Sequence, residues 1–387
     1  MAKAILVTSS FLPGRGGIES YLAALCEELQ PHLAVVAPAR REGRSIPDGL
    51  GYPTIGYEGP LLYPGPRVRR AVEEAASDHS TDRILFGTPW PLALMGPKLK
   101  EGGLSYSVIV HGAEMLVPSV IPGLGGALAR ALAASDLLLP VSNFTRRKIE
   151  SFVSRKGIRI PRTEVLRARV DLGRFSPEAA SADALMDLGI PTTKKLVLSL
   201  GRLVRRKGTH RLLDAIDEMA DRVPDVALVV AGTGPQERTL RRRARSCRSP
   251  VIFTGRVPEA QLPALYASAQ VFALPVADRY LGLDTEGLGV VLVEASASGT
   301  PCVTGRSGGT PEAVLDGKTG FVIDAADRSA LVDRVVRLLE NREAAEMGLA
   351  ARAHARGEFG ERRLPAALLD WLGLGDAEKQ RYGEPPT

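Results

Sequence analysis

Glu286 and Glu294 stand near the start of the stretch Asp284 to Glu312, DTEGLGVVLVEASASGTPCVTGRSGGTPE, where the residue types most suggest chemistry. Carboxylates only accept hydrogen bonds, so these two suit sugar or ribose hydroxyls and repel phosphates. The apolar run from Val290 to Ser298 reads as a helix, with Glu286 before it and Glu294 within it. At helical rise the pair would lie on the order of 10 Å apart. Gly287 and Gly289 flank Leu288 and let the backbone turn tightly and approach a ligand closely. The first helical turn exposes unpaired N–H groups, and with the helix dipole these favour hydroxyl or phosphate oxygens. Such a layout suits a ligand with two hydroxyl-rich ends joined by a diphosphate, the shape of a nucleotide sugar. The phosphates then need cationic donors from elsewhere in the chain.

Arg202 and Lys207 supply candidates. They lie in Gly201-Arg202-Leu203-Val204-Arg205-Arg206-Lys207-Gly208, directly after the apolar run Leu196 to Leu200. A guanidinium can fork onto phosphate oxygens, and an ammonium acts as a point charge. Arg205 and Arg206 read as bystanders. A second turn, Gly232-Thr233-Gly234-Pro235, follows the apolar run Ala227 to Ala231. Short apolar runs alternate with amphipathic segments, which indicates parallel sheets whose ligands bind at the strand carboxyl ends. Near the start, Ala4 to Thr8 leads into a loop with Gly16 and Gly17 and then a helix from Ile18 to Leu29. This is not a dinucleotide fingerprint. Glu19 stands where the third glycine belongs, and no acidic residue follows Val35-Val36.

Glu286 and Glu294 in E-x7-E spacing, within EGLG and SGGTPE, resemble the retaining glycosyltransferases of family four. LDTEGLGVVLVEASASGTP is similar to the actinobacterial phosphatidylinositol mannosyltransferases, above all those that add the second mannose. The resemblance runs from about Ala4 to Trp371. It implies an α/β protein of GT-B fold, two Rossmann-like doubly wound domains facing across a cleft. It implies that Gly16 and Gly17 approach the donor diphosphate, in the segment Phe-x-Pro-x-x-Gly-Gly-Ile. His111, in the family's His-Gly after a first-domain strand, would touch the donor sugar near the reaction centre. Relatives often carry another His two positions on, where this chain has Ala113 and then Glu114. Gly234 would lie beside the nucleotide, and backbone groups around Gly255-Arg256-Val257 would bind the base. Glu286, Gly287, Leu288, Gly289 and Glu294 complete the donor set with Arg202 and Lys207. The implied reaction retains the anomeric configuration by same-face substitution, with the leaving diphosphate helping to deprotonate the acceptor. No cofactor or metal is required by that arrangement. GDP-mannose is the implied donor and a phosphatidylinositol mannoside the implied acceptor. A UDP-sugar and another acceptor form the alternative, and a non-catalytic nucleotide-sugar-binding protein a second.

The elements that must position these residues set the organisation. The 387 residues, 44% of them hydrophobic, fit two domains with substantial cores. The expected boundaries are 1–178 for an acceptor domain and 179–360 for a donor domain. A helix at 361–376 would cross back to the first domain, and 377–387 would be a loose tail. Val170-Asp171 and Phe175 match the family's interdomain segment, although its Asn-Gly is replaced by Ala168-Arg169. Three scattered cysteines suggest reduced thiols rather than a disulfide or zinc framework. No secretory signal is read before the first strand, and no apolar run approaches the roughly 20 residues that span a bilayer. The expected location is therefore the cytoplasm, with contact at the inner face of the membrane. The net charge of +6 suits an anionic ligand, an anionic membrane or nucleic acid. No nucleic-acid module supports the last. Arg67, Arg69 and Arg70, with Arg146, Arg147 and Lys148, are the candidates for anionic lipid headgroups.

Overall fold

The computed structural model describes residues 2–14, 16–41, 43–59, 62–112, 117–118, 121, 123–280, 282–340, 343–360 and 364–383. These fall into two compact units, one of residues 2–169 with 364–383, the other of 170–360.

The first unit is built on seven parallel strands. In chain order the strands are β1 (Ala4–Val7), β2 (Leu33–Pro38), the short β3 (Arg40–Arg41) and β4 (Arg44–Ser45), β5 (Thr54–Tyr57), β6 (Arg83–Phe86), β7 (Ser105–Val110), β8 (Leu137–Pro140) and β9 (Arg162–Thr163). β3 and β4 pair only with each other, antiparallel. The main sheet runs β5-β2-β1-β6-β7-β8-β9. β1, β2 and β8 are buried at every residue, as strands covered on both faces must be. The helix Pro66–Asp78 shows how the cover is made. Val68, Val72, Ala75 and Ala76 recur at helical spacing and join the core of Ile5, Val7, Ile84 and Phe86.

The second unit has six parallel strands: β10 (Lys195–Leu200), β11 (Val226–Ala231), β12 (Val251–Gly255), β13 (Val271–Leu274), β14 (Cys302–Gly305) and β15 (Gly320–Ile323). Their order is β12-β11-β10-β13-β14-β15. Numbered within the unit this is 3-2-1-4-5-6, a doubly wound sheet that reverses direction between β10 and β13. Loops that follow those two strands open onto the crevice where ligands of such sheets bind. The core gathers Val197, Leu228, Ala273 and Val303 from the strands with Leu212, Ile216, Val332 and Val336 from the helices Thr209–Arg222 and Arg328–Glu340.

Two features differ from the sequence reading. The division between the units falls after Arg169, ahead of the expected 178. Val170 donates its N–H to the Phe359 carbonyl at 2.9 Å. Phe175 meets the Tyr266 ring edge-on at 5.8 Å, so this stretch is already core of the second unit. The C-terminal stretch is also more ordered than a loose tail. After the helix Ala366–Trp371, Asp376–Lys379 is helical and Tyr382 is buried. Leu364 donates to the Tyr382 carbonyl at 3.0 Å, and Ala367 donates to Glu164 at 3.3 Å within the first unit. Residues 384–387 lie outside the described residues.

Candidate active site

In the second unit the candidate residues gather on loops that leave β10, β11, β13 and β14. The loop after β10 ends in a 3-10 turn, Arg205–Lys207, closed by Gly208 in the left-handed region at φ 77°. A Cβ at Gly208 would lie 2.0 Å from the Pro275 carbonyl oxygen, so only glycine lets this turn sit on the loop after β13. Ala277 then donates its N–H to the Arg206 carbonyl at 3.0 Å.

That contact brings four charged side chains together. Lys207 Nζ lies 2.9 Å from Glu286 Oε2, and Arg206 Nη1 donates to the same oxygen. Arg206 Nε lies 2.9 Å from Asp284 Oδ1. Two carboxylates and two cations balance, as buried charges require. Burial pushes the Glu286 carboxyl upward, but Lys207 and Arg206 outweigh it and hold the group below its usual range.

The loop after β14 supports this carboxylate through the backbone. Gly309 donates its N–H to the Glu286 carbonyl at 2.9 Å. Ser307 Oγ accepts from the Glu286 N–H at 3.2 Å and donates to Asp278. A Cβ at Gly308 would lie 1.9 Å from the Glu286 carbonyl oxygen, and one at Gly309 would lie 2.2 Å from that of Gly287. SGG and EGLG therefore lie backbone against backbone. Leu288 is buried, and Gly289, at φ 87°, caps the helix Val290–Ala297.

Glu294 sits on that helix, partly exposed, with the Tyr266 hydroxyl donating to its Oε2 at 2.7 Å. Burial pushes its carboxyl up to about 7, against the Tyr266 hydrogen bond, which lowers it. Arg202 is exposed at the end of β10, without an ion pair among the described residues. Gly234 is packed hard against the same loop, since a Cβ there would meet Leu203 backbone atoms at 2.6 and 2.7 Å. Arg256 is exposed beside Gly255, which takes φ 66°.

In the first unit Gly16 is the N-cap of the helix Gly17–Glu28, with extended backbone and no side-chain cap. A Cβ at Gly16 would meet the Glu19 carboxylate at 2.5 Å, and Glu19 pairs with Arg41 at 3.2 Å. His111 follows β7 and is buried. Its Nε2 lies 3.0 Å from the Gly87 carbonyl, and its ring meets the Tyr21 edge at 5.1 Å. Gly87 itself follows β6, so this hydrogen bond fixes the imidazole between the ends of two neighbouring strands. Ala113 and Glu114 lie outside the described residues.

Of the basic clusters, Arg67 and Arg70 are exposed on the helix Pro66–Asp78, while Arg69 is turned to Glu73 at 3.4 Å. Arg146 pairs with Glu150 at 2.8 Å, Arg147 is exposed, and Lys148 lies over the Phe144 ring at 5.9 Å. Among the described residues no group of three or more His, Cys, Asp or Glu could hold a metal ion. No helix there is long and apolar enough to cross a membrane.

The structure corrects one reading outright. Arg206 is no bystander, whereas Arg205 is exposed as expected of one. Asp284, Ser307 and Tyr266 also escaped the sequence reading. The available signal was an alternation of charge: Arg206-Lys207 after one strand, Asp284 and Glu286 after the strand beside it.

A family model described as glycosyl transferases group 1 matches residues 183–354. The GDP-mannose-dependent alpha-(1-6)-phosphatidylinositol monomannoside mannosyltransferase of Mycolicibacterium smegmatis is 38% identical over 95% of this chain and 97% of its own length. The GDP-mannose-dependent monoacylated alpha-(1-6)-phosphatidylinositol monomannoside mannosyltransferase of Corynebacterium glutamicum is 34% identical over 92% and 94%. Among solved structures, Anabaena HepE in complex with UDP and glucose matches with a TM-score of 0.75 over 93% of this chain and 96% of that one. At 20% identity this is a likeness of fold alone.

Proposed function

Because the chain belongs to the group 1 glycosyltransferases and has their two-domain GT-B fold, we propose that it moves mannose from GDP-mannose to a phosphatidylinositol mannoside, with retention. The observation that carries this reading is the end-to-end match to the Mycolicibacterium smegmatis enzyme. A shared donor domain alone would have matched the second unit only. Here the likeness extends through the first unit, the part the family uses for its acceptor.

On this reading Glu286 accepts hydrogen bonds from the sugar hydroxyls, and Glu294 from the ribose. Lys207 and Arg202 hold the diphosphate, helped by the N–H groups of the helix Val290–Ala297. The bond from the anomeric carbon to the diphosphate oxygen breaks as the acceptor oxygen bonds to the same face of that carbon. The acceptor proton passes to the departing diphosphate. Positive groups placed where that charge develops lower the barrier. For His111, whose Nε2 lies 3.0 Å from the Gly87 carbonyl, the reading keeps the family's role near the donor sugar. The reading needs no metal, so a chelator leaves the rate unchanged. Arg67 and Arg70, with Tyr63 nearby and 65% exposed, contact anionic headgroups at the inner face of the membrane.

The test is transfer from labelled GDP-mannose and UDP-glucose to phosphatidylinositol monomannoside in detergent. Mannosylated product from GDP-mannose alone is expected, nearly lost in Glu286→Ala and little changed in Arg205→Ala. Equal rates for Glu286→Ala and the wild type would reject this site, and product from UDP-glucose alone would reject the donor.

A further inference from the structure

Lys207 cannot serve the donor and Glu286 in the same way at once. It spends its ammonium on Glu286 Oε2 at 2.9 Å, yet the diphosphate claims that charge. An anionic ligand that draws Lys207 away would leave Glu286 buried and short of a partner, unless a second cation stays. Arg206 is placed to stay. Its Nη1 reaches Glu286 Oε2 while its Nε is tied to Asp284 Oδ1 at 2.9 Å. Its own carbonyl is held by Ala277 N–H at 3.0 Å. Asp284 is fixed in turn, exchanging backbone hydrogen bonds with Arg279 at 3.0 and 3.1 Å. One guanidinium therefore bridges two carboxylates, and the network anchors it at both ends.

We propose that Arg206 is a positioning residue that keeps Glu286 aimed at the donor's sugar while Lys207 turns to the diphosphate. The role rests on the function proposed above. Arg206 touches no ligand in it; it acts through Glu286. A lysine in its place would keep the charge but lacks the planar fork that spans both carboxylates.

The experiment compares Arg206→Gln, Arg206→Lys and Asp284→Asn with the wild type. Three quantities are read: the thermal shift given by GDP, the KM for GDP-mannose, and kcat. A misplacement of about 1 Å at a reacting centre costs about 100-fold in rate, and that is the loss of kcat expected for Arg206→Gln. The GDP shift, which reports the phosphate and base contacts without the sugar, falls only slightly, by the cost of drawing Lys207 from a Glu286 that has lost its second cation. Arg206→Lys recovers part of kcat, and Asp284→Asn loses less than Arg206→Gln. A GDP shift abolished in Arg206→Gln along with kcat would make Arg206 a phosphate ligand and overturn the proposal. So would an unchanged kcat in Arg206→Gln. Should Arg206→Gln fail to fold, Asp284→Asn decides: a lowered kcat with an intact GDP shift supports the proposal, and wild-type kcat overturns it. If the wild type transfers from no nucleotide sugar, the proposed function fails separately. Arg206 is then judged by a double-mutant cycle in thermal stability with Glu286→Gln, where additivity overturns the pairing.

Discussion

Gly308→Ala tests whether the site is built backbone on backbone. Gly308 takes φ 56°, and a Cβ there would stand 1.9 Å from the Glu286 carbonyl oxygen. Real Cβ contacts essentially never fall under 3.0 Å, so the two loops must part by at least 3.0 − 1.9 = 1.1 Å. The neighbour is backbone, with no flexible side-chain end to give way. The shift therefore passes straight to Glu286, whose own carbonyl is the atom displaced. A displacement of this size costs about 100-fold in rate, or about 2.7 kcal/mol of barrier. The left-handed backbone adds about 1–2 kcal/mol of strain for a residue with a Cβ. At about 2–4 °C per kcal/mol, strain alone lowers the melting temperature by about 2–8 °C. Gly317→Ala is the control. Gly317 is also left-handed, at φ 72°, but nothing lies within 4 Å of its Cβ position. It incurs the strain without the displacement. The assay pairs thermal denaturation with steady-state transfer, run well below either transition. Gly308→Ala should lose both stability and rate, and Gly317→Ala stability only. If Gly308→Ala kept the wild-type rate, or Gly317→Ala lost as much rate as Gly308→Ala, the buttress would not be what aims Glu286.

Glu294 gives a pH dependence with a defined sign. Its folded pKa is raised from 4.5 to about 7, so the folded state holds a proton that the unfolded state releases between those values. The stability this group contributes is fully present below pH 4.5 and is lost as the pH rises through about 7. Glu294→Gln, which can still accept from Tyr266, should therefore melt above the wild type at pH 8, with the gap closing toward pH 4.5. A gap that widens on acidification would contradict the burial argument. Reversing charge at Arg67 and Arg70 should weaken sedimentation with anionic vesicles while leaving transfer to a detergent-dispersed acceptor intact; unchanged sedimentation would remove those residues from the membrane.

The central strands were legible because each is a short apolar run, whereas the edge strands β5 (TIGY) and β9 (RT), partly exposed, carry no such run and were not read. LAVVA, LVLSL and VIFTG are read without ambiguity, and the helix after Gly289 follows from its sequence alone. The partners of the carboxylates were less legible. Arg206 and Glu286 are far apart in sequence, and nothing in R-R-K-G says which cation turns inward. The 3-10 turn and the glycine at 208 decide it, by pressing the turn onto Pro275. Tyr266 was hidden for a related reason. A tyrosine in LPALYAS reads as core, which it is, and only the fold shows its hydroxyl emerging at Glu294. The glycines were visible as glycines, but their purpose was not. Gly234, expected beside the nucleotide, is in addition pressed against Leu203, a contact the sequence does not show.

The two sheets show why these residues meet at all. In each unit the order begins at one strand, runs out to one edge, returns and runs out to the other: β5-β2-β1-β6 in the first, β12-β11-β10-β13 in the second. Neighbouring strands whose following helices pack on opposite faces leave their loops splayed at the carboxyl ends. In the second unit those are the loops after β10 and β13, and they carry Lys207 with Arg206 and Asp284 with Glu286. In the first they are the loops after β1 and β6, which carry Gly16 with Gly17 and the Gly87 carbonyl that receives His111. A point substitution on these loops tests one contact. The strand order tests the whole scheme, because exchanging the loops after β11 and β13 would leave every residue type in the chain and separate Glu286 from both of its cations.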